Sequence, residues 1–343
     1  MNSQKIFQQQ FLEAGKLLAS KKKIAVLTHT NPDGDAIGSL LGLGLFLKAM
    51  GHDVQVMTPN PYPEFLQWLP GNGEVVIFTR RKAKAIRIIE EAEIIFCLDF
   101  NASNRFEGLE NCLQSAKGIK ILIDHHPHPQ PEYDLLFSNT SVSSTAELVY
   151  EFMEGTGKKD LITKEIAECL YVGIMTDTGN FSFNSSEMRT FEIVAALLNL
   201  GIEKDRIYSL VYDNFSENRM RLLGYCLSEK MVVLPEYHTA YISLNQEEQQ
   251  RYKFDTGDSE GFVNYPLSIK GIIFSALLTE QKDKSIRISF RSKGSFATNV
   301  FAETHFEGGG HKNASGGKSL LPLNETISKF EALLPLFKKE LEY

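Results

Sequence analysis

The sequence predicts an α/β protein: a doubly wound, mainly parallel sheet domain, then a helical connector, then a smaller α+β C-terminal domain. Over the first half of the chain, short apolar runs alternate with helical patterns, which is typical of a parallel sheet covered on both faces. From Met231 onward, strand-like runs predominate. The length of 343 residues is also sufficient for two domains that each bury a core.

The first half opens on an amphipathic helix with apolar residues Ile6, Phe7, Phe11, Ala14 and Leu18. Predicted strands then cover residues 24–28, 53–57, 75–78, 94–98 and 120–123, and predicted helices cover 36–50, 81–91, 144–153 and 163–175. Gly51 is expected to end the helix at 36–50, and Ser144 with Glu147 is expected to form a capping box at the start of the helix at 144–153. The run YVGIM at 171–175 fits a strand as well as a helix.

Residues 186–230 are mostly helical in pattern. Four strand-like runs follow, and then the glycine-rich stretch EGGGHKNASGGKS and a closing helix over 327–341. We therefore predict a catalytic domain at 1–185, a helical connector at 186–230 and a second domain at 231–343.

The composition of the chain excludes several classes of protein. The net charge is −7 and neither half of the chain is basic, which argues against a duplex-DNA binder that works by neutralising phosphates. Short oligonucleotides and nucleotides remain compatible, because one or two local arginines can hold them. No apolar run is long enough to span a bilayer, the N-terminus lacks the apolar core of a signal peptide, and the four cysteines are widely spaced. We expect a reduced, cytoplasmic protein with no membrane partner.

Acidic and histidine residues follow apolar runs in four separate segments. They are His29, Asp33 and Asp35; Asp99; Asp124, His125 and His126; and Asp177. In a doubly wound sheet, the carboxyl ends of the strands meet at one crevice, so these side chains are expected to converge. Carboxylates and imidazoles without a thiolate suit Mn²⁺, Mg²⁺ or Co²⁺ better than structural zinc. Two cations are favoured over one, because so many carboxylates would otherwise repel one another.

Each segment alone also has a simpler explanation. Residues 31–35 fit an ordinary turn, Asp99 a cap, His125 and His126 an inert surface pair, and Asp177 a helix exit. The spacing of Asp33 and Asp35 does not fit an EF-hand. All four explanations would have to hold together, so we favour the metal centre.

The segments HTNPDGDAIGS, CLD, IDHH and TDTGNF resemble the four motifs of the DHH phosphoesterase superfamily. GGGH, preceded by SFRSKG, resembles the DHH-associated C-terminal domain of that superfamily. The resemblance covers nearly the whole chain. It is strongest to the branch of nanoRNases that also act as phosphatases of 3′-phosphoadenosine-5′-phosphate (pAp).

The resemblance implies one cation held by His29, Asp33 and Asp99, and a second held by Asp35, Asp99, His125 and Asp177. Asp99 would bridge the two ions, and Asp124 would orient an imidazole. His126 would hydrogen-bond a phosphate oxygen or protonate the leaving oxygen. A hydroxide shared by the two ions would attack phosphorus.

The second domain is expected to bind the substrate. Arg287 and Arg291 share one face of a predicted strand; Arg291 matches the family motif, whereas Arg287 fits a solvated strand face equally well. Gly309, Gly310 and His311 are expected to approach a phosphate, although the same residues fit a flexible loop. Gly38, Gly42 and Gly44 have the wrong spacing for a dinucleotide fingerprint and indicate close helix–sheet packing instead.

The favoured activity is hydrolysis of very short single-stranded oligoribonucleotides and of pAp. Alternatives are a phosphodiesterase of cyclic di-AMP or of its linear product pApA, an exopolyphosphatase or pyrophosphatase, and a nucleotide-binding regulator without activity. The sequence leaves the oligomeric state open, with a homodimer as one option.

Overall fold

A computed structural model describes residues 6–101, 106, 108–255 and 257–342. The chain divides into two compact units, Met1–Asn214 and Phe215–Tyr343. This division lies within the segment predicted as a helical connector. Two helices of that segment belong to the first unit and one to the second.

The first unit contains a six-stranded sheet in the order β3-β2-β1-β4-β5-β6, with every neighbouring pair parallel. The strands are β1 Lys23–Thr28, β2 Asp53–Thr58, β3 Val76–Ile77, β4 Ile94–Leu98, β5 Ile119–Asp124 and β6 Leu135–Ser138. The predicted parallel sheet is confirmed. The sequence reading missed β6, a short edge strand.

The helices of this unit are α1 Gln8–Leu17, α2 Gly34–Ala49, α3 Lys82–Glu91, α4 Glu110–Ser115, α5 Thr145–Gly155, α6 Lys164–Asp177, α7 Met188–Asn199 and α8 Lys204–Tyr212. One face of the sheet packs against α1, α2 and α5, on which α6 packs in turn, and the other face packs against α3 and α4. Because both faces are covered, the central strands are continuously apolar. The run YVGIM lies inside α6 and is helical.

Glycines in α2 permit close packing of this helix, but two of the three pack against another helix instead of the predicted sheet. A Cβ at Gly38 would lie 2.5 Å from the Cys169 carbonyl oxygen, and one at Gly42 would lie 2.8 Å from the Leu170 side chain; both neighbours belong to α6. Gly44 alone packs against a strand, at Val56. The expectation of helix–sheet packing is therefore wrong for Gly38 and Gly42, which serve a helix–helix contact.

The second unit contains a mixed sheet in the order β11-β12-β10-β9-β8-β7. Among the described strand pairs of this second sheet, β8–β9 is parallel and the others are antiparallel. The strands are β7 Met231–Leu234, β8 Thr239–Leu244, β9 Phe274–Glu280, β10 Ile286–Ser292, β11 Gly309–His311 and β12 Ala314–Ser319, and the helices are α9 Glu217–Tyr225, α10 Gln246–Arg251, α11 Thr298–His305 and α12 Leu323–Leu333. Buried phenylalanines, including Phe274, Phe290, Phe301 and Phe330, fill the core on one face.

The closing helix differs from its predicted range of 327–341: it begins at Leu323 and ends at Leu333, after which Leu334–Phe337 forms a 3₁₀ turn. Part of the glycine-rich stretch forms the hairpin of β11 and β12, which excludes the alternative of a flexible loop there. Among the described helices, none combines the length and apolar composition needed to cross a membrane.

Candidate metal centre

The candidate site lies at the carboxyl edge of the first sheet, where the strand order reverses. β1 and β4 are neighbours, and the chain proceeds outward from them in opposite directions. Doubly wound sheets bind ligands at such a switch point. His29 directly follows β1, Asp99 follows β4, and His125 follows β5.

The loop between β1 and α2 is held in a defined shape. Asn31 has a left-handed φ of 56°, its N–H donates to Asn60 Oδ1 at 2.7 Å, and Asn60 Nδ2 donates to Asn31 Oδ1 at 2.8 Å. Asp33 caps α2, accepting from the Ala36 N–H at 3.0 Å. Asp35 lies in the first turn of α2 and is 2 % exposed. The segment is therefore the N-terminal cap and first turn of a helix, and it places both carboxylates among the other acidic and histidine residues.

Asp99 occupies the centre of the cluster. Its φ of 63° is left-handed, a conformation that aspartate tolerates better than most residues and that is often found at functional sites. Its Oδ2 lies 3.4 Å from His29 Nε2. Its Oδ1 lies 3.6 Å from His125 Nε2 and accepts the Thr145 hydroxyl at 2.9 Å. The two oxygens of one carboxylate thus face two different histidines.

The two adjacent histidines after β5, His125 and His126, contact different carboxylates. His125 Nε2 lies 3.7 Å from Asp35 Oδ2 and 3.6 Å from Asp177 Oδ2. His126 Nδ1 lies 2.7 Å from Asp124 Oδ1, a hydrogen bond that orients the His126 ring. The imidazole next to Asp124 is therefore that of His126.

Asp177 reaches the cluster from a helix rather than from a strand, since it is the last residue of α6. A carboxylate at the negative end of a helix dipole is unfavourable unless positive charge lies nearby. His125 Nε2 lies 3.6 Å from Asp177 Oδ2. A cation at this position would compensate for both the dipole and the neighbouring carboxylates.

The structure brings the predicted residues into two triads. Ligand atoms of His29, Asp33 and Asp99 lie within 4.8 Å of one another, as do those of Asp35, His125 and Asp177. A further group joins Asp99, Asp124 and His126. Asp124 Oδ2 is buried and has no hydrogen-bond partner among the described residues. Oxygen and imidazole donors that converge without a thiolate fit divalent cations such as Mn²⁺, Mg²⁺ or Co²⁺.

The electrostatics are those of a crowded acidic cluster. Burial raises the pKa of Asp35 well above its usual value, and Asp99, Asp177 and Asp33 raise it further. Burial alone would also raise the pKa of Asp99, but the hydrogen bond with His29 and the charges of His126, His29 and His125 hold it well below its usual range. Bound cations would oppose this repulsion and keep the Asp35 carboxylate ionised.

The predicted substrate-binding residues lie in the second unit. Arg291 is half-buried on β10 and its Nη1 donates to the Phe290 carbonyl at 2.9 Å; Arg287 is exposed on the same strand. Gly309, Gly310 and His311 form β11. A Cβ at Gly310 would lie 2.7 Å from the Ala314 carbonyl, so this glycine is required by the hairpin itself. A Cβ at Gly309 would meet only Glu303, at 3.7 Å, so packing does not require that glycine.

Two residues of the site were missed from sequence. Asn60 braces the loop after β1, and Thr145 contacts Asp99. Ser144 does cap α5, accepting from the Glu147 N–H, but the Glu147 carboxylate accepts from Ser143 rather than closing the predicted box on Ser144. The cap pattern marked where the helix begins, and nothing in it showed that this helix begins against Asp35 and Asp99.

The structure is that of an α/β protein with a cluster of aspartates and histidines that could hold divalent cations at the switch point of its sheet. The chain belongs to the DHH family: the model of the DHH family, N-terminal domain matches residues 23–174, and that of the DHHA1 domain matches residues 236–342.

Similar proteins agree with this assignment. The chain is 28% identical over 96% of its length to the bifunctional oligoribonuclease and PAP phosphatase NrnA of Thermus thermophilus, and it covers 94% of that protein. It is 30% identical over 84% of its length to the protein of the same name from Bacillus subtilis, 86% of which is covered. Cyclic-di-AMP phosphodiesterase PdeA of Listeria monocytogenes is 26% identical over 86% of this chain, but only 44% of that protein is covered.

Solved structures show the same fold. An exopolyphosphatase-related protein from Bacteroides fragilis is 43% identical, with a TM-score of 0.93 over 97% of this chain and 98% of the other. RecJ from Thermus thermophilus in complex with Mn²⁺ has a TM-score of 0.56 at 14% identity, covering 99% of this chain and 55% of the other, and shares the fold. The family and the named relatives make the chain a hydrolase of phosphoester bonds.

Proposed function

We propose that this protein hydrolyses very short oligoribonucleotides and pAp, with two divalent cations, preferably Mn²⁺, at the switch point of the first sheet. The observation that carries the proposal is the position of Asp99, whose two oxygens face the two ligand triads. The substrate class is supported by relatives that match across both domains and are named oligoribonuclease and PAP phosphatase. We also propose the cytoplasm as the location, which agrees with four free cysteines.

His29, Asp33 and Asp99 would hold one cation, and Asp35, Asp99, His125 and Asp177 the other. Two bound cations would neutralise charge on the phosphoryl oxygens and make a water molecule acidic enough to attack phosphorus at neutral pH. The protein contributes preorganisation. Asp35 and Asp99 are almost completely buried and already hydrogen-bonded, so they need little rearrangement when the substrate arrives.

His126 would act directly on the substrate. Its Nδ1 lies 2.7 Å from Asp124 Oδ1, so the carboxylate fixes the orientation of the ring that would contact a phosphate oxygen. A ring nitrogen of His126 held in this way would donate a proton to the leaving oxygen. Asp124 would therefore act through His126 and not as a cation ligand.

Arg291, Gly309, Gly310 and His311 would bind the nucleotide part of the substrate. Arg291 supplies a planar cation suited to phosphate. Gly309 exposes backbone without a packing reason for lacking a side chain, which suits close approach of an anion. The negative net charge of the chain, −7, favours short substrates that make few phosphate contacts.

A substrate panel tests the proposal. RNA dinucleotides, pAp, pApA, cyclic di-AMP and polyphosphate are incubated with the protein and Mn²⁺, Mg²⁺ or Co²⁺, with a chelator as the blank. We expect the highest kcat/KM on RNA dinucleotides and pAp with Mn²⁺, and none in chelator. A preference for cyclic di-AMP would favour the activity in PdeA's name, and a preference for polyphosphate the one suggested by the Bacteroides fragilis protein's name. Either result would overturn the proposed substrate class.

A further inference from the structure

We propose that Thr145, the first residue of α5, is a positioning residue that holds the carboxylates of Asp35 and Asp99 in the arrangement that two cations require. The inference rests on the metal centre of the proposed function and adds a residue to it. Thr145 lies 110 residues beyond Asp35 and 46 beyond Asp99, so only the fold brings the three together.

Thr145 contacts one carboxylate from each triad. Its backbone N–H donates to Asp35 Oδ2 at 2.7 Å, and the next N–H, of Ala146, donates to Asp35 Oδ1 at 2.9 Å. The Thr145 hydroxyl donates to Asp99 Oδ1 at 2.9 Å. Thr145 is completely buried and Asp35 and Asp99 are each 2 % exposed, so water does not compete for these bonds.

These bonds constrain orientation. Two N–H groups on the two oxygens of Asp35 fix the plane of its carboxylate, and they come from the positive end of an α-helix. Asp35 Oδ1 also accepts from the Ser39 hydroxyl at 3.3 Å, whereas Oδ2, which accepts from the Thr145 N–H, keeps a lone pair for a cation. Because the hydroxyl engages Asp99 Oδ1, the other oxygen stays directed at His29. The carboxylate of Asp99, which would be shared by the two cations, is thereby fixed beside the carboxylate of Asp35.

The turn that carries Thr145 is itself anchored. The carboxylate of Glu147, 1 % exposed, accepts from the Ser143 N–H at 3.1 Å and from the Thr190 hydroxyl of α7 at 2.9 Å. Asn184, in the segment after Asp177, donates through Nδ2 to the Ser143 carbonyl at 3.2 Å. A buried hydrogen-bonded network of this kind gives the Thr145 hydroxyl little freedom to turn away from Asp99.

The competing explanation is purely structural: the hydroxyl satisfies a buried carboxylate and contributes only to stability. The two explanations differ in cation affinity. Residues that orient metal ligands typically change the affinity for the metal about 10- to 100-fold when they are replaced. A residue that serves stability alone leaves the affinity of the folded protein unchanged.

The experiment measures Mn²⁺ binding to the metal-free full chain by calorimetry and by electron paramagnetic resonance, without substrate. Thr145→Val keeps the shape and removes the hydroxyl, whereas Thr145→Ser keeps the hydroxyl. Thr58→Val is the matched control, because Thr58 is also completely buried in the first unit and its hydroxyl has no partner among the described residues. Thermal unfolding of each metal-free variant reports stability separately.

We expect Thr145→Val to raise the Kd for Mn²⁺ about 10- to 100-fold, and Thr145→Ser and Thr58→Val to bind like the parent protein. If Thr145→Val does not fold, Thr145→Ala compared with Thr145→Ser isolates the hydroxyl in the same way. Unchanged Mn²⁺ affinity in a folded Thr145→Val protein, or equal weakening by valine and serine, would overturn the positioning role alone. Absence of Mn²⁺ binding by the parent protein would overturn the metal centre, and this inference with it.

Discussion

The carboxyl edge of the first sheet and the β10–β12 face of the second sheet are built in opposite ways. At the first, Asp35, Asp99 and His125 are each 2 % exposed and make contacts across several elements. At the second, Arg291 and His311 are half-exposed, and Arg287 is open to solvent. A buried, cross-linked cluster suits chemistry that needs fixed geometry. A half-exposed cationic face suits recognition, where side chains adapt to different ligands.

The first prediction tests the buried cluster at the edge of the first sheet, where we expect the largest loss of activity. Asp99→Ala should reduce kcat/KM on an RNA dinucleotide about 1,000-fold or more, since a metal centre contributes several kcal/mol and each 1.36 kcal/mol is tenfold in rate. Steady-state kinetics with saturating Mn²⁺ measure the effect. Asp53→Ala, which alters an exposed aspartate at the start of β2 on the opposite edge of the sheet, should retain parent activity. Substantial activity of Asp99→Ala in the presence of a chelator would exclude the two-cation proposal.

The second prediction separates His126 from the cation ligands. His126→Ala should lower kcat about 100-fold or more on every substrate, as expected for loss of a general acid, and should leave the Mn²⁺ stoichiometry unchanged. The substrates to compare are an RNA dinucleotide and a small artificial phosphodiester. A selective effect on the dinucleotide would place His126 in recognition instead of chemistry.

The third prediction concerns the exposed region. Arg291→Ala and His311→Ala should each lower kcat/KM for RNA dinucleotides or pAp roughly 10- to 150-fold, the value of one charge-assisted contact of about 1.5–3 kcal/mol. The small artificial phosphodiester should be affected much less. Lys282→Ala, in an exposed turn of the same unit, is the control. Equal losses on both substrates, with folding and Mn²⁺ content intact, would assign these residues to the catalytic centre.

The fourth prediction sharpens the idea of a small recognition face. Activity should favour oligonucleotides of about two to five residues, with a shallow salt dependence, because each phosphate contact contributes only about −0.7 to the slope of log affinity against log salt on single strands. Competition assays across chain lengths and salt concentrations measure both, with duplex DNA as a substrate that should not compete. Efficient degradation of long strands with a steep salt slope would contradict it.

The sequence was most informative where one physical constraint dominated. Mainly apolar runs of four or five residues predicted β1, β4 and β5 to within one residue at each end, because strands of a sheet covered on both faces are largely apolar. Short elements flanked by polar residues, such as β6 and α11, carry no such apolar run. Neither was predicted from the sequence.

Residue types and order along the chain therefore determined the parallel sheet, the family and the set of residues available for cation binding. The contacts among them were decided by the tertiary structure. That Asp177 joins Asp35 from a helix end, and that Thr145 connects Asp35 with Asp99, depends on side chains up to 142 positions apart meeting at one sheet edge. Local pattern reports which face of an element is buried; only packing of the elements decides which donors and acceptors share that buried space.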